Sequence, residues 1–410
     1  MKALKANRLI NGNGNGVLED AVVLVDGEKI VAVESANKLR IPPDAEVIDL
    51  GDRTLLPGLI DAHVHFSPEE AGHLYGRMFE PSQRKLIRAT VDARNALAAG
   101  FTTMRDVGGR DAIYLRDAIA AGDIPGPRIL ASGLLITSTG GHEDPRYLTP
   151  DWVRQISHLS RVASGPDDCR EAVREQYRLG ADLIKIMSTG LGMLAQFTYK
   201  ETEALIDEAH KLGMRVASHA NGGPGLKDAL KAGVDTIEHG THLDEEDLAF
   251  MRAHNIFLCP TLAITEKLIG EGPKYGVAQY MVNAARDRED SRIQSFMKAY
   301  RSGVKITTGS DFGLRPFTRH GDNVLELVLM VKAGCAPMDA IVAATKNGAE
   351  ALGLGDRLGQ VQAGKVADLI ATRGDPTDRI EDLYQVDFVM KTGAVFRQPA
   401  SEDRHAGSSE

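Results

Sequence analysis

The sequence predicts an α/β protein: a (β/α)8 TIM barrel with a small β-sandwich domain formed from both chain ends. Three observations predict it. The middle of the 410-residue chain alternates eight short apolar runs with amphipathic helical segments, the pattern and the number of a closed parallel barrel. Both ends carry short β-branched runs broken by turn signals, and neither end is long enough to build its own core. Polar residues of metal-binding type close several of the apolar runs, which is where a barrel gathers its chemistry.

At the N-terminus, "ALKANRLI", "AVVLVDGEKIVAVES" and "AEVIDLG" read as strands, with "NGNGNG" as a loop and Asp-Gly as a hairpin turn. "ADLIATRG" and "VDFVMKTGAVF" read the same way near the other end. We therefore expect residues 1–56 plus 358–400 to form the discontinuous sandwich and 57–357 the barrel. Polar residues 401–410 are expected to be a disordered tail. The barrel strands would be "LLPGLIDAHV", "FTTMRDV", "RILASGLL", "DLIKIMS", "MRVASHA", "VDTIEHG", "IFLCPTL" and "VKITTGSD". Helical segments such as "RKLIRATVDARNALAAG" and "KETEALIDEAHKLG" lie between them, several ending in Gly, a common helix stop. An open doubly wound sheet would give the same alternation. However, no G-x-G-x-x-G follows the first strand and no P-loop motif occurs.

Composition narrows the function. The 43 % hydrophobic and 26 % charged fractions are those of a globular protein. A net charge of −9 argues against nucleic-acid and anionic-membrane partners. Cys169, Cys259 and Cys335 are odd in number and far apart, so neither a disulfide framework nor a cysteine-rich zinc site is expected. With no apolar leader at the start and no membrane-length run, a cytoplasmic location is expected.

The strand ends carry the chemistry. The first run ends in His63 and His65, which share a face because strand side chains alternate. The fifth ends in His219, the sixth in Glu238 and His239, and the eighth in Asp311. Each alone has a plain reading: a hydrogen-bonded histidine, or an Asp capping a turn. Four imidazoles and a carboxylate at one barrel mouth would instead make a ligand set for Zn2+ or a similar ion. Lys185 lies inside the apolar fourth run. An unpaired ammonium there tends to lose its proton, and a neutral amine can take up carbon dioxide as a carbamate.

With H-x-H, Lys, His, His and Asp in this order, the chain resembles the amidohydrolase superfamily from about Ala3 to about Phe396. "AAGFTTMRDVGG", "SHANG", "TGSD", "ATKNGAEALG" and "GQVQAGKVADLIA" agree with it. The resemblance implies a binuclear centre of two Zn2+ per chain. His63, His65 and Asp311 would bind one metal, and His219 and His239 the other. Carbamylated Lys185 and a hydroxide would bridge them, and Asp311 would also be the catalytic base. Within the superfamily the chain is most similar to the prolidase-like and carboxypeptidase-like branch, through "GPRILASGLLITSTGGHED". There His142 would hold the scissile carbonyl or a substrate carboxylate; a plain loop histidine is the alternative.

Two departures from the branch matter. "STGLGMLAQ" replaces a small-residue segment after the lysine strand, and Thr265 stands roughly where a tyrosine is expected after strand seven. The pocket then looks apolar, with Leu191, Met193, Leu194 and Phe197 available to a bulky group. Arg315 and Arg319 could capture a carboxylate or simply be solvated. Pocket loops are expected at 188–198, 261–283 and 312–320. The expected activity is hydrolysis of a small-molecule amide, an N-acyl or peptidyl amino acid. Alternatives are a cyclic-amide, phenylurea or carbamate hydrolase, or a non-catalytic barrel binding module, which the complete ligand set disfavours. The resemblance also implies a homo-oligomer.

Overall fold

The computed structural model describes residues 1–70, 80–144, 149, 160–190 and 193–399, with the side chains of 67–70, 314 and 315 excepted. The expected tail 401–410 lies outside the described residues. The fold is mixed α/β. One eight-stranded sheet takes strands from both ends of the chain: Lys2–Ile10, Val17–Asp26, Lys29–Ser35, Glu46–Asp49 and Arg53–Pro57, then Leu369–Arg373, Val386–Lys391 and Ala394–Arg397. Lys2–Ile10 is its branch point, pairing with Glu46–Asp49 through Lys2–Lys5 and with Arg53–Pro57 through Arg8 and Leu9. Leu4, Leu9, Val23, Leu55, Leu369 and Phe388 pack into a core of this sheet's own.

The first expected barrel run is cut at Gly58. Arg53–Pro57 belongs to the end sheet and Leu59–Glu70 to a parallel sheet with Phe101–Asp106, Arg128–Ala131 and Phe312–Arg315. Gly58 is required there, since a Cβ would lie 2.1 Å from Thr102 Oγ1. A second parallel sheet holds Ser160–Ala163, Leu135–Ser138, Leu183–Met187, Arg215–Gly222, Thr236–His242 and Phe257–Cys259, in that spatial order.

The third and eighth expected strands differ from the reading, and both lie where the two parallel sheets meet. "RILASGLL" is broken after Ala131: Arg128–Ala131 belongs to one sheet, and the run's last residue, Leu135, starts a strand of the other. Asp182 N donates to Ala131 O at 2.8 Å across this seam. "VKITTGSD" is not a regular strand. Thr307 N donates to Leu258 O at 2.9 Å on one side, and Ala62 N donates to Thr308 O at 2.8 Å on the other. Asp311 N then donates to His63 O at 2.7 Å. Lys305 and Thr307 bond to Leu258 on one side, and Thr308 and Asp311 to Ala62 and His63 on the other, so the segment is held on both sides without a continuous ladder.

Expected helices form at Ser82–Ala98, Pro166–Leu179, Tyr199–Lys211, Gly223–Lys231 and Glu245–Ala253, and a further helix at Asp111–Ala121. Thr198 and Asp244 start two of them with complete capping boxes. The stretch 261–283 is not a loop. It contains the helix Leu262–Gly270, a 3-10 turn over Gly272–Tyr275 and the start of the helix Gln279–Ser302. Among the described residues, no helix is long and apolar enough to cross a membrane.

Candidate metal centre

Four histidines and an aspartate meet at the C-terminal ends of the parallel strands. Ring centroids of His63 and His65 are 5.6 Å apart, His63 and His239 5.1 Å, and His219 and His239 4.4 Å. Asp311 Oδ1 lies 3.5 Å from His63 Nε2 and 3.2 Å from His65 Nε2. His63, Lys185, His219 and His239 are all buried.

Each ring is turned by a contact on one nitrogen. His63 Nδ1 donates to Glu238 Oε2 at 2.6 Å, and His65 Nδ1 donates to Gly108 O at 3.2 Å. Both Nε2 atoms then face Asp311. His239 Nδ1 meets Thr261 Oγ1 at 2.7 Å, and His219 Nε2 meets Asn221 Nδ2 at 3.2 Å. One nitrogen per ring thus stays available, the arrangement that fixes tautomer and aim in metal-ligating histidines.

The supports are themselves buried and paired. Glu238 is wholly inaccessible and accepts from Arg105 Nη2 at 2.7 Å. Burial alone would favour its neutral form, but the Arg105 guanidinium and His63 hold its carboxyl well below the usual range. Asp61 accepts from His63 N at 3.2 Å, Ser310 N at 3.0 Å and Asn323 Nδ2 at 2.8 Å, tying the first strand to the segment that carries Asp311. Asp311, His239 and Thr261 all have positive φ, at 58°, 73° and 51°. Such non-glycine geometry costs on the order of 1–3 kcal/mol each and persists where surroundings fix it, characteristically at functional sites.

Electrostatics make the cluster cation-seeking. Burial pushes His63 down to about 4 and lowers His219 and His239 further below the ordinary histidine value. These imidazoles are neutral at pH 7, as ligands must be. Burial also opposes the charge of Asp311, yet His63 and His65 hold it ionised. Burial lowers Lys185, which is 3 % exposed and has no hydrogen-bonding partner among the described residues. His65 moves the other way: burial lowers it, but Asp311 beside it raises it by more. The donor set of four imidazoles, one carboxylate and a partnerless buried amine fits divalent metal.

The substrate-side residues divide. His142 stacks on His219 at 4.8 Å between centroids and so stands at the cluster. Phe197 does not face an open pocket: at 3 % exposure it is packed in the main apolar core. Leu194 is 85 % exposed and forms no wall. Met193 is half-exposed, near Gly222 and Gly223 just beyond the His219 strand end. Arg319 is exposed. Leu191 and the side chain of Arg315 lie outside the described residues. Sequence reasoning missed the roles of Arg105, Glu238, Asp61, Asn323 and Thr261. Glu238 was adjacent to a suspected ligand and Asp61 shared a face with His63, which were the available signals. It also missed Arg292, on the helix Gln279–Ser302, whose Nη1 donates to Thr261 O at 3.2 Å and to Thr265 Oγ1.

Comparison with known proteins places this geometry in context. The profile of the amidohydrolase family matches residues 54–396. A Xaa-Pro dipeptidase, solved with methionine bound in its active site, is 37 % identical, with a TM-score of 0.87 over 97 % of this chain and 99 % of that one. A prolidase complexed with N-methylphosphonate-L-proline is 30 % identical, with a TM-score of 0.90 over 97 % of this chain and all of the other. The ochratoxinase of Aspergillus niger is 29 % identical over 96 % of this chain and 86 % of its own.

Proposed function

Since this chain belongs to the amidohydrolase family, we propose that it is a binuclear zinc hydrolase that releases an amino acid from an N-acyl or peptidyl amide. The observation that carries this reading is the aim of the four histidines: each has one nitrogen engaged by the protein and the other left to a ligand. His63, His65 and Asp311 would hold one ion and His219 and His239 the other, with Lys185 between them as a carbamate. We read Leu59–Glu70, Phe101–Asp106, the broken Arg128–Ala131 and Leu135–Ser138, Leu183–Met187, Arg215–Gly222, Thr236–His242, Phe257–Cys259 and segment 305–311 as the eight strands of one barrel around this centre, and the end sheet as the separate small domain. When bound, the metals would supply a nucleophile from water at neutral pH and polarise the scissile carbonyl.

The chain's own residues do the rest. Asp311, held ionised, would take a proton and return it to the leaving nitrogen. His142, stacked on His219, would hold the substrate carbonyl. The relative with methionine in its active site supports an amino acid as one product. Cyclic amides, phenylureas and carbamates remain the second reading, and no residue of this site favours them.

Metal analysis and a substrate panel test the proposal together. We expect about two zinc per chain and turnover of N-acyl amino acids or dipeptides. Asp311→Asn should cut kcat by about 10²–10⁴-fold. Absence of metal after gentle purification, or an Asp311→Asn enzyme at full speed, would refute the assignment. Uptake of zinc by apo-protein that does not quicken with added bicarbonate would count against the carbamate.

A further inference from the structure

We infer that Arg292 binds the carboxylate of the substrate's amino-acid portion, with Thr261 and Thr265 holding its guanidinium in place; this rests on the amide-hydrolase reading above. Arg292 Nη1 donates to Thr261 O at 3.2 Å and to the Thr265 hydroxyl. The hydroxyl of the same Thr261 meets His239 at 2.7 Å. One residue therefore separates the guanidinium from a candidate metal ligand.

Arg292 lacks an anion. Its Nε is sealed from solvent without a hydrogen-bond partner, and it forms no ion pair among the described residues. The acids whose charge reaches it are Asp311 and Glu326. Asp311 is already engaged with His63 and His65. Glu326 is buried and pushed up to about 8, so it is neutral at pH 7 and supplies no counter-charge. A partly buried guanidinium without an anion is costly unless a ligand provides one. Planar carboxylate recognition is what arginine does best. Arg288, one turn earlier on the same helix, adds positive charge that acts on His142 and His242.

Thr265 occupies the place where the sequence led us to expect a carboxylate-binding tyrosine. In this chain a threonine would instead anchor an arginine brought in from the following helix. Arg319, which is exposed, is the weaker candidate, because a solvated cation gains little from a salt bridge.

The test uses zinc-loaded protein and two readouts. By calorimetry, L-phenylalanine should bind wild type roughly 100-fold more tightly than L-phenylalaninamide, the scale of one charge-assisted contact. Arg292→Met should shrink that preference to a few-fold, and Arg292→Lys should keep part of it. In kinetics, the same loss should appear in KM for N-acetyl-L-phenylalanine relative to its C-terminal amide. Equal binding of the two probes by wild type, or an undiminished preference in Arg292→Met, overturns the inference. If no amide is hydrolysed but the binding preference is present and collapses in the variant, the carboxylate site stands and the hydrolase reading fails. If neutral amides are hydrolysed and no preference exists, the reverse holds.

Discussion

Glu238 shows how much of the site depends on a residue that would never touch substrate. Its two oxygens divide the labour: Oε2 orients His63, and Oε1 accepts from Arg105 and Thr236. Arg105 in turn donates through Nε to Ala62 O on the His63 strand. Glu238→Gln keeps the shape but removes the charge from both partners. One buried cation is then left without its anion, which costs about 3–5 kcal/mol. Loss of such a support to a ligating histidine typically costs 10–100-fold in metal affinity. We therefore expect a lower melting temperature in chelator-treated protein and faster zinc loss to a chromophoric chelator. A variant that melts lower but keeps its zinc as tightly as wild type would show that Glu238 serves stability alone.

At the scale of elements, segment 305–311 is the least regular part of the parallel region and the most constrained. It carries Asp311 past His63 at van der Waals contact, and Gly309 makes that passage possible. A Cβ there would lie 2.2 Å from Cys259 Sγ and 2.6 Å from His63 Cβ. Both neighbours sit in a packed core, so the overlap must be relieved by moving His63 or the segment. Gly309→Ala should cost about 1–3 kcal/mol in urea denaturation and loosen metal binding together. Gly270→Ala, with nothing within 4 Å of the added carbon, is the control and should change neither. This segment also marks a limit of sequence reading. "VKITTGSD" has strand composition, and its end did mark Asp311, but its hydrogen bonds pass from Leu258 in the first half to Ala62 and His63 in the second, a switch no local pattern encodes. The helix Gln279–Ser302 was missed for a related reason. Its buried residues, Val282, Ala285, Phe296 and Met297 among them, are too sparse among charged residues to advertise a face.

Across the whole molecule, the legible part was the part with a period. Apolar runs, capped helices and strand-end histidines follow from local spacing, so the alternation and five of the clustered residues could be read from the chain. The supports could not. Asp61 meets Asn323 across 262 positions, and Glu238 meets His63 across 175; only folding brings such pairs together. Glu326 belongs to this second group and gives a global test. Its Oε2 accepts from Ala263 N at 2.7 Å at the start of the helix Leu262–Gly270, while Oε1 is buried without a partner. Burial raises this carboxyl from its ordinary 4.5 to about 8. Between those two pH values the folded chain binds a proton that the unfolded chain has released. Stability from this group is therefore full below about pH 4.5 and falls as pH rises towards 8. Glu326→Gln retains an oxygen for Ala263 N and cannot ionise. Comparing the two apo-proteins by urea denaturation cancels the titration of the histidines, which they share. The difference should grow in favour of the variant from pH 5 to pH 8, by a few kcal/mol at most. A difference that stays flat over that range would mean that Glu326 is already ionised in the folded protein. Arg292 would then have its anion without any substrate.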